Sequence, residues 1–185
     1  MHPLAGGYML PWDKEDGMLG LMAGVILAAI QPALFDADGY RASSYRAPVD
    51  RDPAPATRLA LAAAKELRPG RDAMFIDALP LGRAAGQWLQ TEPHDTIAGA
   101  VWRPEVGRPG VDPALWAGLR GAIAAWRRGH PGGPVVLFCR VDCWMGWNAA
   151  RRLAREGVGD VYWLAEGVEG WLEAGGQLAP AKPQP

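Results

Sequence analysis

Two cysteines, Cys139 and Cys143, are the residues of this chain best suited to chemistry, and three residues separate them. A thiol becomes a nucleophile or a redox centre only as its thiolate, so what matters is whether the surroundings favour the anion. Cys139 follows the apolar run Pro134–Phe138, and a helix-forming segment lies just downstream. At such a strand–helix junction the backbone N–H groups and the helix dipole favour negative charge on sulfur. Arg140 adds a positive charge. Cys143 is near enough to act as a resolving thiol, provided the two Cα atoms approach within about 7 Å. Asp142 opposes the binding of an anion in the same loop, and Trp144 and Trp147 bring flat apolar area that could serve core packing or recognition. Met145 stands where a Cys-x5-Arg phosphatase needs arginine, which excludes that reaction.

Positioning such a loop takes a sheet. Ala73–Ile76, ending at Asp77, predicts a buried strand that delivers a carboxylate to its C-terminal edge; Thr96–Trp102, Pro134–Phe138 and Asp160–Leu164 predict three more. Between them, helices are predicted from a Thr57 cap to about Leu67, from Asp112-Pro113 to Gly129, over Asn148–Glu156 and over Val168–Ala174. Strands alternating with helices imply an α/β domain with an open, mostly parallel sheet and helices on both faces. Ligands of such sheets bind beyond the carboxyl ends of the strands, where Cys139 falls. Asp77 is expected to organise that edge, His94 to hydrogen-bond in a turn, and Arg83 and Arg103 to be solvated. Asp36–Ala56 reads as an extended arm anchored by Tyr40 and Tyr45, and 179–185 as a disordered tail.

The remaining composition mostly excludes. A net charge of −1 removes the clustered positive field that nucleic acids require. Two cysteines cannot fill a four-coordinate structural zinc site, and no glycine-rich phosphate loop is present, so no intrinsic cofactor is expected. Residues 1–35 read as an N-terminal extension. Within it, 18–33 is short for a membrane span and suits an export h-region, with small residues for cleavage near Ala33 or Ala37. Export to the periplasm is the expectation, with membrane contact only through an uncleaved N-terminal segment. The acidic Asp13-Lys14-Glu15-Asp16 run lacks the positive charge such a signal carries.

The order VVLFCR, NAARRLAREG, DVYWL and EGVEGW, with FIDALP and HDTIAGAVW upstream, resembles the active-site end of a rhodanese-like domain. The arm (Gly39-Tyr40-Arg41, Tyr45-Arg46-Ala47-Pro48-Val49), the loop from Cys139 to Asn148 and the Ala100–Gly107 segment resemble the PQQ-dependent catabolism-associated CXXCW motif proteins. Gly146 departs from that pattern, which has serine there. The resemblance implies a rhodanese-like fold over 57–178, a periplasmic location and association with PQQ-dependent alcohol oxidation. Three activities then compete. Cys139 could carry sulfane sulfur as a persulfide between small-molecule thiols. Cys139 and Cys143 could be a thiol–disulfide pair. Or the loop could be a non-catalytic surface that binds a quinoprotein dehydrogenase or its quinone through Trp144 and Trp147.

Overall fold

The computed structural model describes residues 33–185. Its strands are β1 (Thr57–Leu59), β2 (Met74–Asp77), β3 (Arg83–Ala84), β4 (Gln87–Trp88), β5 (His94–Ile97), β6 (Val101–Trp102), β7 (Val135–Phe138), β8 (Val161–Leu164) and β9 (Leu178–Ala181). Its helices are α1 (Leu61–Lys65), α2 (Pro113–Gly129), α3 (Trp144–Arg155) and α4 (Gly167–Glu173). Five strands form one parallel sheet in the order β1-β8-β7-β2-β6. The described residues thus form an open α/β fold.

Strand alternation divides the core in two. Met74, Ile76, Val135, Leu137, Val161 and Trp163 face α2 and α3, where Leu119, Ile123, Trp144, Trp147 and Leu153 close a first apolar cluster. Phe75, Val136, Phe138 and Leu164 face the other way, onto Ala64 of α1 and Trp171 of α4. Every residue of β2 and β7 is buried, which explains why these strands read as continuous apolar runs. Asp112 caps α2 by accepting from the Ala114 N–H at 2.8 Å.

Several elements differ from their sequence reading, each for an identifiable reason. Thr57 does not cap a helix; Thr57–Leu59 is an edge strand in register with Tyr162–Leu164, and α1 is confined to five residues. The open side of β8 supplies a pairing partner that outweighs the alanine-rich helix propensity of this stretch. Thr96–Trp102 is two strands rather than one. Gly99, at φ +88°, turns the chain where an added Cβ would meet the Pro69 carbonyl, so β5 leaves the main sheet while β6 stays beside β2. Helix α3 starts at Trp144, four residues before the expected Asn148, because Trp144, Met145 and Trp147 bury its first turn in the core. The tail is ordered: Leu178–Ala181 pairs antiparallel with Ile97–His94, and Pro183 bridges Trp102.

The arm lies along α3. Asn148, fully buried, treats Arg41 as a strand partner: its Oδ1 accepts the Arg41 N–H and its Nδ2 donates to the Arg41 carbonyl, both at 2.9 Å. The same amide donates to the Gly107 carbonyl at 2.7 Å. The ring of Phe35 meets Trp144 edge-on at 5.4 Å and Trp147 at 6.5 Å, so the folded arm includes a residue read from sequence as part of the N-terminal extension. Residues 18–32 of the expected export segment lie outside the described residues.

Candidate functional site

β7 ends at Phe138, and the next residue is Cys139, at the carboxyl edge of the sheet. Cys139 and Cys143 form a disulfide with Cα atoms 5.9 Å apart. Both cysteines are buried, at 2% and 1% exposure, whereas Val141 at the tip of the intervening loop is 53% exposed. The helix N-cap is Cys143 rather than Cys139, and its side chain makes no capping hydrogen bond. The dipole of α3 therefore acts first on the Cys143 sulfur.

Three of the loop's N–H donors are already engaged. The Val141 N–H donates to Glu169 Oε2 at 3.0 Å, the Cys143 N–H to the Arg140 carbonyl at 3.1 Å, and the Trp144 N–H to the Tyr45 carbonyl at 3.0 Å. That last acceptor belongs to the arm, whose Ala47 N–H also donates to the Asp142 carbonyl and whose Arg46 bridges Cys143. Charge around the loop is balanced as well. Arg140 pairs with Glu169 at 2.5 Å, Asp142 with Arg46 at 2.6 Å, and Glu166 with Arg58 at 2.8 Å. The ring of ion pairs offers an incoming anion no uncompensated positive field.

Trp144 and Trp147 are core residues, edge-on to one another at 5.2 Å, and Met145 beside them is fully buried. Their burial removes the flat surface expected of a quinone-binding loop: the indoles complete the first apolar cluster instead. Gly146 is set by a close approach, since an added Cβ would lie 2.8 Å from the Phe138 carbonyl carbon. A serine at this position would have to push α3 away from β7.

Asp77 is 2% exposed and ends β2 beside Phe138. Its Oδ1 accepts the Leu79 N–H at 2.8 Å; its Oδ2 accepts the Thr96 hydroxyl at 2.7 Å and lies 2.8 Å from His94 Nε2. His94 belongs to β5 rather than to a turn, and its ring packs on Trp102 with centroids 4.2 Å apart. His94 lines a cavity of about 240 Å³ together with Asp95, Leu79, Arg140, Val168 and Glu169. The far side of the loop borders a second cavity of about 370 Å³, lined by Val49, Arg58, Val141, Asp142 and Trp163.

Arg103 is not solvated: it is buried, its Nε has no hydrogen-bond partner, and desolvation pulls its pKa below the usual arginine value. Arg83, on β3, does pair with Asp112, at 3.3 Å. Glu169, Glu166, Arg46 and Thr96 were invisible as site residues in the sequence, because they reach the sheet edge from three segments distant from the loop: the start of α4, the arm and β5. Among the described residues no group of three or more His, Cys, Asp and Glu could hold a metal ion, and no helix is long and apolar enough to cross a membrane.

Fold and site together define a parallel α/β domain whose strand–loop–helix turn is closed by a disulfide beneath an ion-paired rim. Comparison with protein-family models, curated proteins and solved structures finds no significant match.

Proposed function

We propose that this chain is a rhodanese-like thiol–disulfide redox protein of the periplasm, working through Cys139 and Cys143 in association with PQQ-dependent alcohol oxidation. The observation that carries the reading is the Cys139–Cys143 bridge, in a loop whose charges are paired and whose Val141, Cys143 and Trp144 N–H groups are already hydrogen-bonded. A persulfide carrier needs a free Cys139 and unengaged donors around the outer sulfur; a dianionic sulfur donor also needs net positive charge. A disulfide needs neither. A purely structural role is the weaker account, because a bridge with a sequence separation of four closes so short a loop. By chain entropy it contributes only about 2 kcal/mol, against roughly 4.7 kcal/mol for a loop of 100 residues.

The position of each sulfur also gives the exchange a direction. A thiolate attacking Cys139 expels Cys143, which sits at the N-cap of α3, where the helix dipole favours the departing anion. Cys139 is thus the attacked sulfur and Cys143 the leaving and resolving one. Equilibration in a glutathione redox buffer, alkylation of free thiols and mass analysis test this. A bridge that opens reversibly while the fold is retained, with Cys143→Ser trapping a mixed disulfide on Cys139, is the expected result. A persulfide on Cys139 of freshly isolated protein would return the reading to sulfane-sulfur transfer.

A further inference from the structure

The loop between the cysteines is held from two sides by different parts of the chain. Its first half belongs to α4. The Cys139 carbonyl accepts the Val168 N–H at 3.0 Å, Arg140 pairs with Glu169 at 2.5 Å, and the Val141 N–H donates to the same carboxylate at 3.0 Å. Its second half belongs to the arm. The Asp142 carbonyl accepts the Ala47 N–H at 2.8 Å, the Trp144 N–H donates to the Tyr45 carbonyl at 3.0 Å, and between them Arg46 lies opposite Cys143 as an antiparallel partner. The Arg46 side chain pairs with Asp142 at 2.6 Å. Two links join the halves: the hydrogen bond from the Cys143 N–H to the Arg140 carbonyl, at 3.1 Å, and the disulfide.

The bridge therefore decides what the arm docks onto. Tyr45, Ala47 and Val49 are half-buried against the first apolar cluster, which contains both cysteines, while Arg46 and Pro48 between them are exposed. One residue pair with two flanking hydrogen bonds is a short attachment, with little stability of its own. With the bridge closed, Asp142 and Cys143 are fixed to the half anchored on α4, and the arm meets an edge already in place. With the bridge open, docking the arm must also order the residues between the cysteines, and the freedom of that loop opposes it. Trp144, fully buried, holds the start of α3 in either state, and Arg41 is held by Asn148 without help from the loop. The effect of the bridge is thus confined to the stretch of arm that touches the loop.

We infer that the redox state of Cys139 and Cys143 controls the docking of arm residues 45–49. Oxidation fastens the segment; reduction frees it and lays bare the part of the apolar cluster beneath Tyr45, Ala47 and Val49. This rests on the thiol–disulfide reading of the loop. The switching step is ordinary exchange. A dithiol donor breaks the Cys139–Cys143 bond and closes to its own cyclic disulfide, giving up two electrons and two protons, and both cysteines end as thiols. The coupling is reciprocal: the factor by which the bridge strengthens arm docking is also the factor by which a docked arm strengthens the bridge. With a sequence separation of four, the chain entropy of so short a loop sets that factor at about 30 at most.

Hydrogen exchange at single amides, followed by NMR in the full chain, reads the docking. It is compared in the oxidised protein, after reduction by dithiothreitol, and in the bridge-free double variant Cys139→Ala/Cys143→Ala, with iodoacetamide labelling and intact mass counting free thiols. The Ala47 and Trp144 amides should exchange up to about 30-fold faster in both bridge-free forms, while the Arg41 amide, bonded to Asn148, keeps its protection and shows that the fold is intact. Ala47→Pro removes the donor to Asp142 at a residue that Pro48 already holds extended. It should shift the bridge toward thiols in a glutathione buffer, by no more than the same factor. Unchanged exchange at Ala47 and Trp144, in a reduced protein with two labelled thiols or in the alanine pair, overturns the switch and leaves the exchange reading standing. A bridge that dithiothreitol leaves closed overturns the exchange reading and the switch with it.

Discussion

The two ends of the described chain are both laid over the α/β core, but they are held by different means. The arm is held by side chains in addition to two backbone hydrogen bonds with the cysteine loop. Asn148 satisfies Arg41 on both sides of its backbone, Phe35 enters the Trp144–Trp147 cluster, and the Arg41 guanidinium lies 4.8 Å over the Trp144 ring. The tail is held by its backbone, in a four-residue ladder with β5 whose own residues are at most half-buried. A backbone ladder tolerates changes of residue, whereas a clasp of particular side chains does not. The arm also crosses the cysteine loop, donating and accepting hydrogen bonds on either side of Cys143, so it is tied directly to the disulfide.

Asn148→Ala should break the contrast most visibly. It strands two buried backbone groups of Arg41 and the Gly107 carbonyl, at about 3 kcal/mol in denaturant unfolding, and limited proteolysis should then cut within 36–50. Phe35→Ala should cost about 2 kcal/mol, below the range for a fully buried phenylalanine because its ring is only half-buried. Ala179→Ser and Lys182→Gln in the tail should each change stability by less than about 0.5 kcal/mol, and a tail substitution as costly as Phe35→Ala would abolish the distinction. Arg46→Ala removes only an exposed pair with Asp142 and should cost below about 1 kcal/mol while leaving the arm in place. Smallest of all is Asp72, remote from both ends. Its exposed pair with Arg68 holds the carboxyl at about 2, below its ordinary 3.8. The stabilisation is therefore complete above pH 3.8 and lost as pH falls through about 2. Acid-unfolding curves of wild type and Asp72→Asn should differ slightly above that window, less at high salt, and converge below it.

What the sequence made legible follows the range of the forces involved. Strands buried on both faces announce themselves, as β2 and β7 do, because every position must be apolar. The Asp112-Pro113 start of α2 is chemically local, and so is the closeness of Cys139 and Cys143, although their bridge was one of three readings that the sequence left open. Thr57–Leu59 was illegible because its partner lies a hundred residues away in β8, and nothing within three residues encodes that. The early start of α3 was hidden for a different reason: a tryptophan-rich turn next to cysteines suggests recognition, while here the indoles are the helix's attachment to the core. At the site, Cys139, Cys143 and Asp77 could be placed at the sheet edge from strand endings alone. His94 could not, since its orientation depends on β5 leaving the main sheet to meet β9.

The last residues of the chain also have a bearing on how molecules of this protein meet one another. An outermost strand with free N–H and C=O groups is a template on which another copy can extend the sheet. On the β6 side that template is blunted: Pro183, which has no N–H to offer, bridges Trp102, and the Gln184 N–H takes the Trp102 carbonyl at 2.9 Å. On the other side β1 is only three residues long. The segment that looks most dispensable thus serves as a guard rail, keeping a sheet with two open sides from growing into its neighbours.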